Sequence, residues 1–256
     1  MLFSANLGFL WNDRPLPEAV IAAKEAGFDA VECHWPYDTN ASLLQKALQE
    51  TGLPMLGLNT IRGDVAAGEN GLSALPGREQ QAQEAIRQAV DYACQINCQN
   101  VHVMAGYASG KDAEDSFIRN LEFACDLAAQ YGIGILIEPL NHYDAPGYFL
   151  NDLALARHVI ARVNRQNLKL MFDCYHIQIL HGDITRQLQH AFDIIGHIQF
   201  ASVPDRGAPD EGELNYQHLF SVMKKAGYDK PLGAEYKAAN GDTNASLSWL
   251  KKAQAL

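Results

Sequence analysis

Eight short apolar runs recur along this chain, and nearly every one is followed by a longer stretch with helical spacing. The runs are LFSANL (2–7), AVECH (30–34), PMLGLN (54–59), NVHVMA (100–105), IGILIE (133–138), LKLMFD (168–173), HIQFA (197–201) and PLGAEY (231–236). Several are continuous rather than alternating, as parallel strands covered on both faces require. Helices are predicted over 17–27, 40–52, 79–97, 112–131, 152–163, 184–195, 215–226 and 243–254. Gly27 and Gly52 stand at stop positions, and Asn40 can cap the second helix. In the third, Ala82, Ile86, Ala89 and Ala93 form one stripe. Alternation of this kind over 256 residues, 48% of them hydrophobic, predicts a single closed (β/α)₈ barrel spanning residues 1–256. An open doubly wound sheet is the rival, but it calls for a Gly-rich phosphate turn after the first strand, and SANLGFLWND offers none.

Charge and cysteine content narrow the function. Thirty acidic residues against twenty Lys and Arg give a net charge of −10, which repels phosphate backbones and argues against nucleic acid as a partner. A small anionic substrate stays compatible, since a few local cations outweigh the global field at short range. Five cysteines at irregular spacing form no disulfide framework and fit a reduced cytoplasm. Cys94 and Cys98 are read as two small core residues on one helix face. No apolar run approaches the ~18 residues of a membrane span, and MLFSANLGFLWNDRP lacks the basic and apolar regions of a signal peptide.

The long Gly-rich connection 60–78 has no helical period and would lie at the C-terminal mouth of a barrel, placed to act as a lid. The connections 139–151 and 201–214 leave strands on the same side. The late strands carry polar residues at their C-terminal ends: Glu138, Asp173, Gln199 and Glu235. Barrel closure would bring these four remote positions to one mouth. Clustered buried carboxylates repel each other and are costly to desolvate, and a divalent cation removes both problems. An all-oxygen set suits Mg²⁺ or Mn²⁺ better than Zn²⁺. The alternative is four ordinary strand-end residues facing solvent or an arginine.

Two carboxylates beside a cation suit a specific chemistry. Moving a carbonyl between adjacent carbons requires removal of a C–H proton by a nearby base. The enediolate that results carries negative charge that a cation stabilises. A second carboxylate returns the proton to the neighbouring carbon. Isomerisation and epimerisation fit this set equally.

The segments IEPLNHYDAPGYFL (137–150), FDCYHIQILHGDIT (172–185), IGHIQFASVPDRGAPDEGELNY (195–216) and AEYK (234–237) resemble the hydroxypyruvate isomerase family. That family belongs to the xylose isomerase-like barrels. AGFDAVE (26–32), GLSALPGRE (71–79) and VHVMAG (101–106) extend the resemblance over nearly the whole chain. It implies a metal site at Glu138, Asp173, Gln199 and Glu235, with Glu138 and Glu235 also shuttling the proton. It further implies that His176 and Arg206 meet the substrate. The related sugar 3-epimerases generally carry His where Gln199 stands, and a neutral amide oxygen predicts a loosely held cation. From position alone, His102 in the fourth strand and Asn59 at the end of the third are candidates to line the mouth. Roles for Asp144, Lys237, His34, His142 and His181 stay open.

The expected activity is interconversion of hydroxypyruvate and tartronate semialdehyde, or of a related 2-oxo-tetronate, by two-glutamate proton transfer. A ketose 3-epimerase on the same barrel is the first alternative. A metal-dependent phosphodiester hydrolase of the DNA-repair endonuclease type is the second, and a non-catalytic sugar-binding barrel the third. The expected partner is a small hydroxy-keto acid or sugar, without nucleic acid or membrane, and homo-oligomers are compatible with the sequence.

Overall fold

The computed structural model describes residues 1–256. Its strands are β1 (Phe3–Asn6), β2 (Ala30–Glu32), β3 (Leu58–Asn59), β4 (Asn100–His102), β5 (Gly134–Ile137), β6 (Leu168–Asp173), β7 (Ile195–Phe200) and β8 (Leu232–Ala234). They form one parallel sheet in the order β2-β1-β8-β7-β6-β5-β4-β3, so the first and last strands are neighbours. Around β2 and β3, Val31 N donates to Pro54 O (3.0 Å), Leu56 N to Val31 O (2.8 Å) and Cys33 N to Gly57 O (3.1 Å). These bonds close the sheet into a barrel, as the sequence pattern requires.

The helices are α1 (Leu16–Ala26), α2 (Ala41–Thr51), α3 (Glu79–Gln95), α4 (Lys111–Ala129), α5 (Leu153–Val163), α6 (Cys174–His181), α7 (Ile184–Ala191), α8 (Tyr216–Lys225) and α9 (Leu250–Gln254). Asn40 caps α2 through Ser42 N, and Gly27 and Gly52 end α1 and α2 in the left-handed conformation. Alternate strand residues point outward into a core of 71 buried side chains, where Phe3, Phe200, Phe220 and Trp249 meet edge to face. The other strand residues point into the barrel.

Four local features differ from expectation. Helix α6 starts directly after β6, with no intervening loop to mark it, because Asp173 is both the strand end and the cap: its side chain accepts from Tyr175 N at 2.9 Å. The last predicted helix, 243–254, is a 3₁₀ turn at Asn244–Ser246 followed by the short α9. Helix α3 ends at Gln95, so Cys98 lies beyond it, buried, while Cys94 is exposed; the two do not share a core face.

The connection 60–78, expected as a mouth loop, is docked on the barrel over its second half. Ala74 N donates to Ala105 O (2.7 Å) and Asn120 Nδ2 to Ser73 O (2.8 Å). Gly71 sits at φ 117°, so close to its neighbours that a Cβ would lie 2.7 Å from the Met104 carbonyl and Gly106 nitrogen.

Candidate active site

Period-two alternation aims Glu32 and His34, His102, Leu136 and Glu138, Met171, His197 and Gln199, and Glu235 at one cavity in the barrel mouth, with Asn6 and Asn59. Asp173 joins them from the end of β6, and Glu138, Asp173, Gln199 and Glu235 are all buried. The four sequence-predicted oxygen residues are therefore brought together. A separate cavity of about 770 Å³ opens at the opposite, N-terminal end of the strands near Leu53, Gln99 and Lys230; no carboxylate lines it.

Arg206 is the cation of the mouth. Its Nη2 lies 3.2 Å from Glu235 Oε2 and 3.3 Å from Asp173 Oδ2, and Nη1 lies 3.6 Å from Asp144 Oδ2. Its guanidinium stacks between Phe9 (4.8 Å) and Tyr175 (4.9 Å). The loop after β7 turns at Arg206, whose φ is 55°. Burial works against the guanidinium's charge, but Glu235 and Asp173 outweigh it and keep Arg206 charged.

The carboxyl groups are driven apart in acidity. Burial, then the charges of Glu235 and Asp173, push Glu138 well above the usual range. Burial pushes Asp173 up to about 7 against the pull of Arg206. At Glu235 burial is outweighed by Arg206 and by His34, whose Nε2 lies 2.7 Å from Oε1, and its carboxyl is held low. The two glutamates are thus pushed in opposite directions, the kind of separation that suits one to acid and the other to base chemistry.

His176 lies beside Glu138 and Asp173. Its Nδ1 is 3.0 Å from Asn141 N and 2.8 Å from Asn141 Nδ2. A backbone N–H can only donate, so Nδ1 accepts and the neutral ring carries its proton on Nε2. Burial and Arg206 hold the ring well below its ordinary pKa, and hence neutral. Nε2–H faces Asp173 Oδ2 at 3.6 Å and Glu138 Oε1 at 4.0 Å. Burial holds His102 neutral too, at about 4; it stands 3.7 Å from Glu138 Oε2, and neither ring nitrogen has a hydrogen-bond partner.

Two groupings in this mouth could hold a divalent cation. Glu138, Asp173 and His176 bring ligand atoms within 4.8 Å of one another. The protonated Nε2 favours His176 as a donor over a ligand. Glu138 Oε1, Gln199 Oε1 and Glu235 Oε2 are each buried without a hydrogen-bond partner, although Glu235 Oε2 still feels Arg206. Three of the four oxygen residues thus leave one atom unsatisfied, so this second grouping also offers free oxygen ligands.

Other residues fall outside or extend the expected site. Lys237 is exposed, and only its backbone touches the site, donating to Arg206 O at 2.7 Å. His142 is exposed, and His181 binds Leu153 N away from the mouth. His34, left open by the sequence, contacts Glu235, and Asp144 pairs with Arg206. Glu32, His197 and Asn141 went unnoticed. Glu32 and His34 share a strand face, as do His197 and Gln199, and that alternation was the available signal.

The family profile described as a xylose isomerase-like TIM barrel matches residues 20–253. The chain is 44% identical to the 2-oxo-tetronate isomerase of Cupriavidus necator over 97% of each chain. It is 40% identical to the putative hydroxypyruvate isomerase of Xenopus laevis, covering 98% of this chain and 95% of that one. A crystal structure described as an AP endonuclease, family 2, from Brucella melitensis superposes with a TM-score of 0.94 at 41% identity, over 98% of each chain.

Proposed function

The chain belongs to the xylose isomerase-like TIM barrel family, and on that footing we propose that it interconverts hydroxypyruvate and tartronate semialdehyde, or the matching pair of 2-oxo-tetronates. It is an enzyme of the isomerase class, like the relatives named above. The observation that carries the reading is the pair of buried glutamates, Glu138 and Glu235, facing one polar cavity, each with an oxygen that has no hydrogen-bond partner.

Glu235 is the base. It takes a proton from the hydroxyl-bearing carbon next to the carbonyl, and the electron pair moves into an enediolate. Glu138 delivers a proton to the former carbonyl carbon, and the substrate's hydroxyl proton passes to the former carbonyl oxygen, completing the shift of the carbonyl. His34 orients Glu235, and the Nε2–H of His176 donates to a substrate oxygen where charge develops. Arg206 answers the substrate carboxylate, at the expense of part of its pairing with Asp144 and Asp173. His102 and Asn59 complete the polar wall that receives the hydroxyl groups.

Glu138, Asp173, Gln199 and Glu235 would hold a Mg²⁺ or Mn²⁺ ion. Such an ion supplies positive charge to offset that of the enediolate. The five free cysteines support a reducing, cytoplasmic setting. No helix is long and apolar enough to cross a membrane.

A nuclease reading, suggested by the name of the Brucella structure, is opposed by the net charge of −10 and by a buried cation already tied to carboxylates. The test is ¹H NMR of purified protein with hydroxypyruvate and with a 2-oxo-tetronate in D₂O, with added Mg²⁺ or Mn²⁺. Product carrying solvent deuterium is expected from at least one. Absence of turnover on both overturns the proposal, and conversion of fructose, tagatose or psicose instead assigns an epimerase.

A further inference from the structure

Beneath the reacting carboxylates lies a buried acid that the proposed mechanism does not use. Glu32 is 3% exposed and sits inside the barrel. Its Oε1 accepts from Gln199 Nε2 at 2.7 Å and from Asn6 Nδ2 at 3.3 Å. Its Oε2 meets His197 Nε2 at 2.9 Å. No arginine or lysine is paired with it. Gly233 makes room for the group, since a Cβ there would stand 2.6 Å from Glu32 Oε1, 2.7 Å from Oε2 and 2.8 Å from Gln199 Cγ.

Glu32 Oε1 already accepts from Asn6 Nδ2, so it offers a lone pair rather than a proton to its other neighbour. An amide facing it must therefore turn its NH₂ inward and its oxygen the other way. The rest of the network agrees. Asn6 Oδ1 accepts from Gly8 N at 2.9 Å, which leaves Asn6 Nδ2 for Glu32. Gln199 Oε1 then faces the cavity with no partner in the protein. In an aqueous setting a glutamine presents either end with little preference. Here the reversed rotamer would set two acceptor oxygens 2.7 Å apart with no donor between them, at a buried position where an unmet acceptor is costly.

The geometry points to Glu32 as the positioning residue that locks the Gln199 amide, so that this position offers the mouth an oxygen and never an N–H. The inference rests on the proposed role of Gln199 as an oxygen ligand and adds what enforces it. It explains how a residue that can donate or accept is made to behave as an acceptor beside Glu138 and Glu235. It also predicts that Glu32 acts without touching substrate.

The test uses Mn²⁺ as the probe. Its affinity is measured by electron paramagnetic resonance for the whole chain and for Glu32→Gln and Gln199→Ala. Glu32→Gln keeps the shape but offers both a donor and an acceptor, so the Gln199 amide is free to turn. Outer-sphere partners of this kind change metal affinity about 10–100-fold. A loss of that size in both variants supports the inference. Weakened binding in Gln199→Ala with wild-type affinity in Glu32→Gln overturns it and leaves the ligand role of Gln199 standing. Absence of Mn²⁺ binding by the wild type, or unchanged affinity in Gln199→Ala, overturns both. Should Glu32→Gln fail to fold, the wild type decides: the Gln199 side-chain NH₂ must be protected from hydrogen exchange in EDTA, before any metal is added. Exchange at solvent rates refutes the lock.

Discussion

Glu138→Gln and Glu235→Gln are the same chemical change at two buried positions, and the structure assigns them opposite effects on stability. In chelator, Glu138 is an acid whose folded-state pKa lies well above its unfolded value, because of burial and the nearby Glu235. The folded state then binds the proton more tightly, so wild-type stability falls as pH rises between the two values, by about 1.4 kcal/mol per pH unit. Glutamine does not titrate and escapes that loss. Glu138→Gln should therefore gain on the wild type with each pH unit from pH 5 upward, until the folded pKa is passed. Glu235 runs the other way. Its folded pKa is depressed, so its contribution is present above the unfolded value, about 4.3, and is lost only as pH falls through the folded one. Glu235→Gln forfeits this at neutral pH and leaves Arg206 with a partner missing, at a cost of about 3 kcal/mol. Both variants should lose at least about 10²-fold in turnover, the lower end of what a positioned acid or base contributes. Urea denaturation in EDTA at pH 5, 6, 7 and 8, alongside NMR turnover, measures each part. A Glu138→Gln variant less stable than wild type at pH 8, or either variant within tenfold of wild-type turnover, would refute the assignment.

Three further outcomes follow from the same geometry. Saturating Mn²⁺ or Mg²⁺, at 100 times its dissociation constant, should raise the unfolding free energy by about 2.7 kcal/mol, and Asp173→Asn should abolish the rise in a calorimetric scan. Arg206→Lys keeps the charge but loses the planar fork stacked between Phe9 and Tyr175; KM for the keto acid should rise at least about tenfold, and unchanged steady-state constants would remove Arg206 from the substrate site. Gly233→Ala drives a methyl group into Glu32 and Gln199 and should cost about 1–3 kcal/mol in urea melts, whereas Gly57, where a Cβ would meet nothing nearer than 4.0 Å, should tolerate alanine far better.

The barrel was legible because its strands are continuous apolar runs punctuated by caps and glycine stops, and Asn40, Gly27 and Gly52 act as their residue types predict. Glu138, Asp173, Gln199 and Glu235 were legible because barrel closure converts strand ends into neighbours. Glu32 was hidden in AVECH, where one acid in a short apolar run has no visible partner; its partners His197 and Gln199 lie far along the chain. Helix α6 was missed because the capping residue is itself the last strand residue, which leaves no turn to read. The docking of 60–78 rests on contacts with 104–106 and Asn120, and loop composition carries no trace of them.

The pairing of β1 with β8 has a consequence for how the chain is made. Phe3 pairs with Leu232 and Ala5 with Ala234, so the first strand to leave the ribosome waits for the last. Until residues 232–234 emerge, one side of β1 is an open sheet edge, a template for pairing with other chains. The site shares that delay. Asn6 and Glu32 come from the beginning of the chain, Gln199 and Glu235 from its final quarter, and nascent chains cut before β8 should be inactive and prone to aggregate. Late translation, rather than core formation alone, then sets when a new molecule becomes safe from misassembly.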